Sequence, residues 1–456
     1  MRHPSYTGVL LAFLGLALSL HNLLSIFLIM VPITVALLHR MNVEEQALLR
    51  ALGERYTSYM ARTKRLCHFC IDRPVYGGAA PHWRAASRCA RVWPMECPFN
   101  QEREPQYYGD YLGIDRLLEL QKPLSLREGK LIAHDEMLFI IVHQAYELWF
   151  KQIRHELEAC GEVLSKPAAD DDGPDMNVVV HRLKRIVEIW KLLNHQVDVL
   201  ETMTPLDFLE FRELLHGASG FQSKQFRQIE AALGLRMENR FRPEYYKHTE
   251  LGGFNKSDFE QVSEFEKAPS LLQMVERWLA RAPFFDQSFW SEWEEAQNGA
   301  GAAERPAFWS RYRELFAGSL SERDDRADLL GKFDDIFFGQ GWGDFSAAAL
   351  RSALFIMLYR DEPLFRLPFA LLNALIEIDE QLATFRYRHL QMVRRMIGTR
   401  VGTGGSSGEQ YLQGAVNKNY VFKELAGVIT FLIERRNLPA LPDRLHKALR
   451  FSWAEA

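Results

Sequence analysis

"HDEMLFIIVHQAYELWFKQIRHELEACGEVL", residues 134 to 164, decides the fold class. It holds no proline, and its first glycine is Gly161. A run this long without a breaker reads as one helix, and its first turns are apolar nearly all round, which predicts burial rather than a surface position. A second run, "NVVVHRLKRIVEIWKLLNHQVDVLETM" (177 to 203), has the same character and ends at Thr204-Pro205. Further helices are expected over Asp207–Leu215, Ser223–Leu233, Ser270–Ala280, Phe308–Leu315, Ser346–Tyr359 and Phe365–Ile397. Period-two alternation is hard to find. Residues 298–340 read as connecting helices and loops, and no internal repeat is visible. The expected fold is all-α, a helical bundle domain over residues 106–456.

The 456-residue length allows one to three domains at roughly 150 residues each. With 47% hydrophobic and 25% charged residues the chain is an ordinary folded one. A net charge of −4 gives no basic footprint for nucleic acid. The 30 Phe, 15 Tyr and 10 Trp suit a large core or an apolar ligand pocket. Five cysteines are too few for a disulfide scaffold. Cys67-x-x-Cys70 looks like half of a zinc ribbon, but Cys89 and Cys97 have seven residues between them, so all four read as loose thiols in a connecting segment.

From Gly8 to Leu38 no Asp, Glu, Lys or Arg occurs. This exceeds the roughly 20 apolar residues that span a bilayer. One tilted helix or two short helices bending near Ser19–Asn22 satisfy it. A signal peptide fits less well, because its apolar core is shorter and no small-residue cleavage site follows. Arg40, Arg50, Arg55, Arg62, Lys64 and Arg65 come after the run and place that side in the cytoplasm. Residues 67–105 are rich in proline, carry an adjacent Gly pair and show no period, so they read as a linker.

Within the 134–164 helix, Phe139 and His143 are four apart and share a face. A neutral imidazole in an apolar wall can hydrogen-bond a ligand or a heme-bound oxygen, although spacing alone favours a core histidine satisfied by a neighbour. Gln144 and Glu147 add polar groups to the same run, and buried polar groups need partners. His389 follows Arg386 and Arg388 on the last long helix. One imidazole can serve as the axial ligand of heme iron, and nearby arginines can pair with propionates; by itself an Arg-x-Arg-His run is more often a solvated basic face. The loop Gly402–Gly408 lacks the lysine of a P-loop and follows a helix rather than a strand, which excludes a nucleotide fingerprint. Its Thr403, Ser406, Ser407 and backbone N–H groups suit a small anion or zwitterion. No zinc-protease helix, nucleophile elbow or pair of di-iron helices is present.

Four segments together resemble the tryptophan 2,3-dioxygenase family: "YGDYLGIDRLLELQ" (108–121), "HDEMLFIIVHQAYELWFKQI" (134–153), "FREL…SGFQSKQFRQIE" (211–230) and "RYRH…GTGGSSGEQYL" (386–412). They stand in the family's order and spacing from about residue 105 onward. The resemblance implies an all-helical homotetramer with heme b that opens the indole ring of L-tryptophan with O2 to give N-formylkynurenine, the first step of tryptophan catabolism. By position, His389 matches the proximal heme ligand and His143 the distal histidine facing the indole N–H. Arg212 matches the group that pairs with the substrate carboxylate, Thr403 the contact at its ammonium and carboxylate end, and Phe139 the ring packed on the indole. Phe208 stands where the family has Phe or Tyr, and Phe385 where it often has Trp. Ser219 and Gly220 match the segment beside the distal heme face. Tyr108, Tyr111 and Leu112 match an N-terminal segment that completes a neighbouring subunit's pocket.

The first 66 residues resemble a different family. "RHPSYTG" (2–8) and "EEQALLRALGERYTSYMARTKRL" (44–66) are similar to the C-terminal end of isoprenylcysteine carboxyl methyltransferase and phospholipid methyltransferase-like membrane proteins. There, an Arg-His-Pro-x-Tyr-x-Gly motif and a Glu-Glu pair bind S-adenosylmethionine. Such enzymes carry further membrane helices upstream, and this chain starts at the motif, so the expectation is a membrane-helix fragment without independent methyl transfer. The expected organisation is therefore 1–66 fragment, 67–105 linker and 106–456 catalytic domain, cytoplasmic and held at a membrane by residues 8–38. The competing reading is a membrane-anchored S-adenosylmethionine-dependent methyltransferase with a helical appendage.

Overall fold

A computed structural model describes residues 13, 30–41, 43, 45, 57, 106–166, 173–235, 240, 253–285, 289–290, 307–400, 402 and 408–449. The chain divides into two compact units, Met1–Glu104 and Pro105–Ala456. In the first, residues 30–41 are helical. Among the described residues no helix is long and apolar enough to cross a membrane; most of the 8–38 run, the whole of 67–105, and Cys67, Cys70, Cys89 and Cys97 lie outside them.

The second unit is all-α, as expected. It opens with two single-turn helices, α1 (Tyr108–Leu112) and α2 (Ile114–Leu118), neither with a buried residue. A hairpin of two-residue strands follows, β1 (Leu126–Arg127) and β2 (Lys130–Leu131), closed by Glu128 and Gly129 at positive φ. It is too short to leave an alternating pattern in the sequence.

The long runs form α3 (Glu136–Leu164) and α4 (Pro174–Leu200), which pack along each other. Pro174 sits at the first position of α4, where its missing N–H costs nothing. Thr204-Pro205 stops α4 and at once starts α5 (Pro205–Arg212): Thr204 Oγ1 accepts from the Asp207 N–H at 3.3 Å and the Asp207 carboxylate accepts from the Thr204 N–H at 2.9 Å. The expected helix to Leu215 ends earlier, in a 3₁₀ turn over Glu213–Leu215. A second 3₁₀ turn, Gly220–Gln222, leads into α6 (Lys224–Leu233).

Then come α7 (Lys256–Lys267), α8 (Leu271–Ala280), α9 (Ala307–Ser319), α10 (Arg326–Phe338) and α11 (Ala347–Leu358). The region expected as connecting helices and loops thus holds two helices of 13 residues each. Among the described elements the longest is α12 (Arg366–Ile397), followed in the chain by α13 (Gly408–Lys418). α12 lies along α4, pinned by Asn194 Nδ2, which donates to the Gln381 carbonyl at 3.1 Å and its side-chain oxygen at 3.0 Å. Trp190, Phe211, Phe333, Phe355 and Leu375 are among the side chains closed in the core.

One expectation is corrected. α3 is not buried all round within one chain: Ile141, Leu148 and Trp149 are 48%, 54% and 37% exposed. α3 packs on α4, α6 and α8, and its apolar character also covers a side that these helices leave open.

Candidate functional site

Seven of the described elements meet at a cavity of about 320 Å³, α4 among them through Val197 and Leu200. α3 contributes Phe139, His143, Glu147 and Phe150; α5 contributes Phe208 and Arg212; the 3₁₀ turn brings Ser219 and Gly220; α6 brings Phe226, Arg227 and Glu230. α12 supplies Phe385, Arg386, His389, Met392 and Met396, and α13 supplies Leu412 and Ala415. On α12 the spacing 385, 389, 392, 396 keeps these groups on one face.

The walls are aromatic. The Phe139 ring lies 4.1 Å from His143, 5.9 Å from Phe208 and 5.5 Å from Phe211. Deeper, Phe385 is 5.7 Å from Tyr146, 5.5 Å from Trp190, 5.8 Å from Phe226 and 6.2 Å from His389. A side of Phe and Met is a wall for a large flat apolar group.

The two histidines are prepared differently. His143 Nδ1 is 2.7 Å from the Phe139 carbonyl, which only accepts, so Nδ1 carries the proton and Nε2 is left as an acceptor. Burial holds this imidazole below its usual proton affinity, against the Phe139 hydrogen bond and the nearby Glu147. His389 makes no hydrogen bond among the described residues. Burial, helped by His143 and Arg227, pushes its pKa down to about 4. A neutral imidazole with no hydrogen-bond partner on an apolar cavity wall is a donor set that fits an iron porphyrin. Among the described residues no cluster of three or more His, Cys, Asp or Glu offers a competing metal site.

Polar groups the sequence did not single out support the walls. Glu230 is fully buried between Arg227 at 2.7 Å, Arg386 at 2.8 Å and Arg240 at 3.7 Å. Burial raises its carboxyl, but Arg227, Arg386 and Arg240 overcome that and hold it at about 2. The two arginines left as candidate partners for propionates are both engaged in ion pairs. Arg386 grips Glu230 and donates to the Asn419 carbonyl at 2.5 Å, while Arg388, on the opposite side of α12, pairs with Asp198 and Glu201 and donates to the Asn194 carbonyl at 2.7 Å. Residues two apart on a helix point about 200° apart, so one faces in and the other out.

Of the expected site residues, Phe139, His143, Phe208, Arg212, Ser219, Gly220 and His389 come together at this cavity. Thr403 lies outside the described residues, although the neighbouring Gly402 reaches the cavity wall. Tyr108, Tyr111 and Leu112 do not reach it within one chain and are 72%, 70% and 45% exposed.

Comparison with known proteins adds two matches. The family model for tryptophan 2,3-dioxygenase matches residues 95–432, and that for phospholipid methyltransferase matches residues 1–55. The tryptophan 2,3-dioxygenases of Alteromonas mediterranea and Bdellovibrio bacteriovorus are each 41% identical to this chain, over 359 and 362 residues, spanning 76% of it and 98% and 99% of their own lengths. That of Dictyostelium discoideum is 41% identical over 361 residues, 76% of this chain and 89% of its own.

Proposed function

The chain belongs to the tryptophan 2,3-dioxygenase family, and on that premise we propose that it opens the indole ring of L-tryptophan with O2, giving N-formylkynurenine, with a heme b held by His389. The observation that carries this reading is the convergence on one aromatic cavity of an unpartnered imidazole, an acceptor imidazole and a guanidinium. Heme supplies the activation of O2, so the protein needs no strong acid or base of its own.

The side chains then have separate tasks. Arg212 grips the substrate carboxylate, the geometry that suits a guanidinium fork, with Thr403 at the same end. Phe139 and Phe208 hold the ring, and His143 Nε2 accepts the indole N–H. Ser219 and Gly220 bound the cavity beside them. Holding the reactants together in a site that keeps water out is the principal contribution of such a pocket.

The reading extends to assembly. A homotetramer in which Tyr108, Tyr111 and Leu112 of one copy complete a neighbour's pocket accounts for α1 and α2 having no buried residue and for the open apolar side of α3. Residues 1–66 form a methyltransferase-like segment and 67–105 a linker, with 8–38 associating with the membrane and the catalytic domain on the cytoplasmic side; the phospholipid methyltransferase match supports the first part.

The test is direct. Purified full-length chain is loaded with heme, its Soret band recorded, and N-formylkynurenine followed from L-tryptophan and O2. Product and a Soret band that His389→Ala abolishes or shifts are expected. No product from the heme-loaded chain rejects the activity, and an unchanged band in His389→Ala rejects the ligand.

A further inference from the structure

Glu147 lies one turn beyond His143 on α3, so Phe139, His143 and Glu147 form one row along the cavity. The first two face the expected ring site. Glu147 instead reaches across to the next element. Ser223 Oγ donates to Glu147 Oε1 at 2.5 Å, and Gln225 Nε2 donates to Glu147 Oε2 at 2.9 Å and to the Glu147 carbonyl at 2.8 Å.

Ser223 is a junction. Its N–H closes the Gly220–Gln222 turn on the Gly220 carbonyl at 3.2 Å, and its Oγ accepts from the Phe226 N–H at 3.3 Å as the cap of α6. Gln222 fixes the turn's internal shape, accepting from the Ser219 N–H at 3.0 Å and donating to the Gly217 and Gly253 carbonyls at 3.1 and 3.0 Å. Gln222 makes no bond to α3 among the described residues; the polar bonds from this stretch to α3 end on Glu147.

We propose that Glu147 is a positioning residue, a clamp that sets the spacing between the His143 row and the Ser219–Gly220 wall. The proposal rests on the dioxygenase reading for its kinetic consequence but on geometry for the clamp itself. A carboxylate suits the task because both oxygens accept, one from a hydroxyl and one from an amide, and its charge sits at the positive end of α6. An amide at this position keeps one acceptor and sets a donor where the second acceptor was.

The experiment uses the heme-loaded full-length chain and the variants Glu147→Gln, Ser223→Ala, Ser223→Thr and the double Glu147→Gln/Ser223→Ala. Displacing a bound reactant by about 1 Å costs on the order of 100-fold in rate, so a loosened clamp is expected to lower kcat by roughly ten- to 100-fold while KM for L-tryptophan moves less than about threefold. Ser223→Thr keeps the hydroxyl and recovers most of what Ser223→Ala loses. The double variant is no slower than the slower single one, because both changes break the same link. The carbonyl stretch of the carbon monoxide adduct, a reporter of the distal wall, broadens in Glu147→Gln and Ser223→Ala and stays sharp in Ser223→Thr. Unchanged kcat in both single variants, losses that multiply in the double, or an unbroadened carbonyl stretch each overturn the clamp. A wild-type chain that binds heme but forms no N-formylkynurenine rejects the dioxygenase reading instead, and the carbonyl stretch then decides the clamp by itself.

Discussion

Replacing Glu230 with Gln tests how the cavity floor is held. The residue is 1% exposed and bonded to guanidinium groups from α6, α12 and Arg240. Its carboxyl is pulled from an ordinary 4.5 to about 2. Each tenfold change in proton affinity is worth about 1.4 kcal/mol, so ionised Glu230 contributes about 3 kcal/mol at neutral pH. That agrees with the roughly 3–5 kcal/mol lost when one partner of a buried pair is removed. The pH dependence follows in sign. A carboxyl whose pKa is depressed on folding stabilises above its unfolded value and loses that contribution as pH falls toward its folded value. The stability gap between wild type and Glu230→Gln is therefore largest at pH 7, smaller by roughly 1 kcal/mol at pH 4 and by roughly 2 kcal/mol at pH 3. Guanidinium unfolding followed by far-ultraviolet circular dichroism across this range measures it. A gap under about 1 kcal/mol at pH 7, or one that stays constant down to pH 3, refutes the reasoning.

Three further outcomes are expected. Arg212→Ala raises KM for L-tryptophan by roughly ten- to 100-fold, the value of a lost hydrogen bond to a charged group; steady-state kinetics with an unaltered KM place the carboxylate elsewhere. His143→Ala lowers kcat/KM for L-tryptophan by about tenfold but leaves 1-methyl-tryptophan, which has no indole N–H to donate, nearly unaffected; equal losses on both substrates contradict the acceptor role. Gly427→Ala destabilises the fold by roughly 1–3 kcal/mol, because an added Cβ stands 2.2 Å from the Trp342 ring; an unshifted thermal midpoint opposes this.

The sequence by itself determined the fold class and most helix positions, and it named seven of the residues that line the cavity. Breaker-free apolar runs specify helices locally, and 3.6-residue periodicity places Phe139 with His143 and Phe385 with His389 before any tertiary contact is known. Boundaries were less legible: Thr204-Pro205 reads equally as a stop and a start, and its capping box with Asp207 settles it. Whether Arg386 and Arg388 face water or protein was not readable either. That depends on Glu230, 156 positions earlier, and on Asp198, 190 positions earlier. The open side of α3 was hidden for the same reason, since an apolar side chain carries no mark of whether its own chain covers it. Only the tertiary structure brought His143 and His389 to one cavity and spent Glu147 on Ser223 and Gln225. Periodicity fixes which way a side chain points from its own helix, while what it meets depends on packing between segments far apart in the chain.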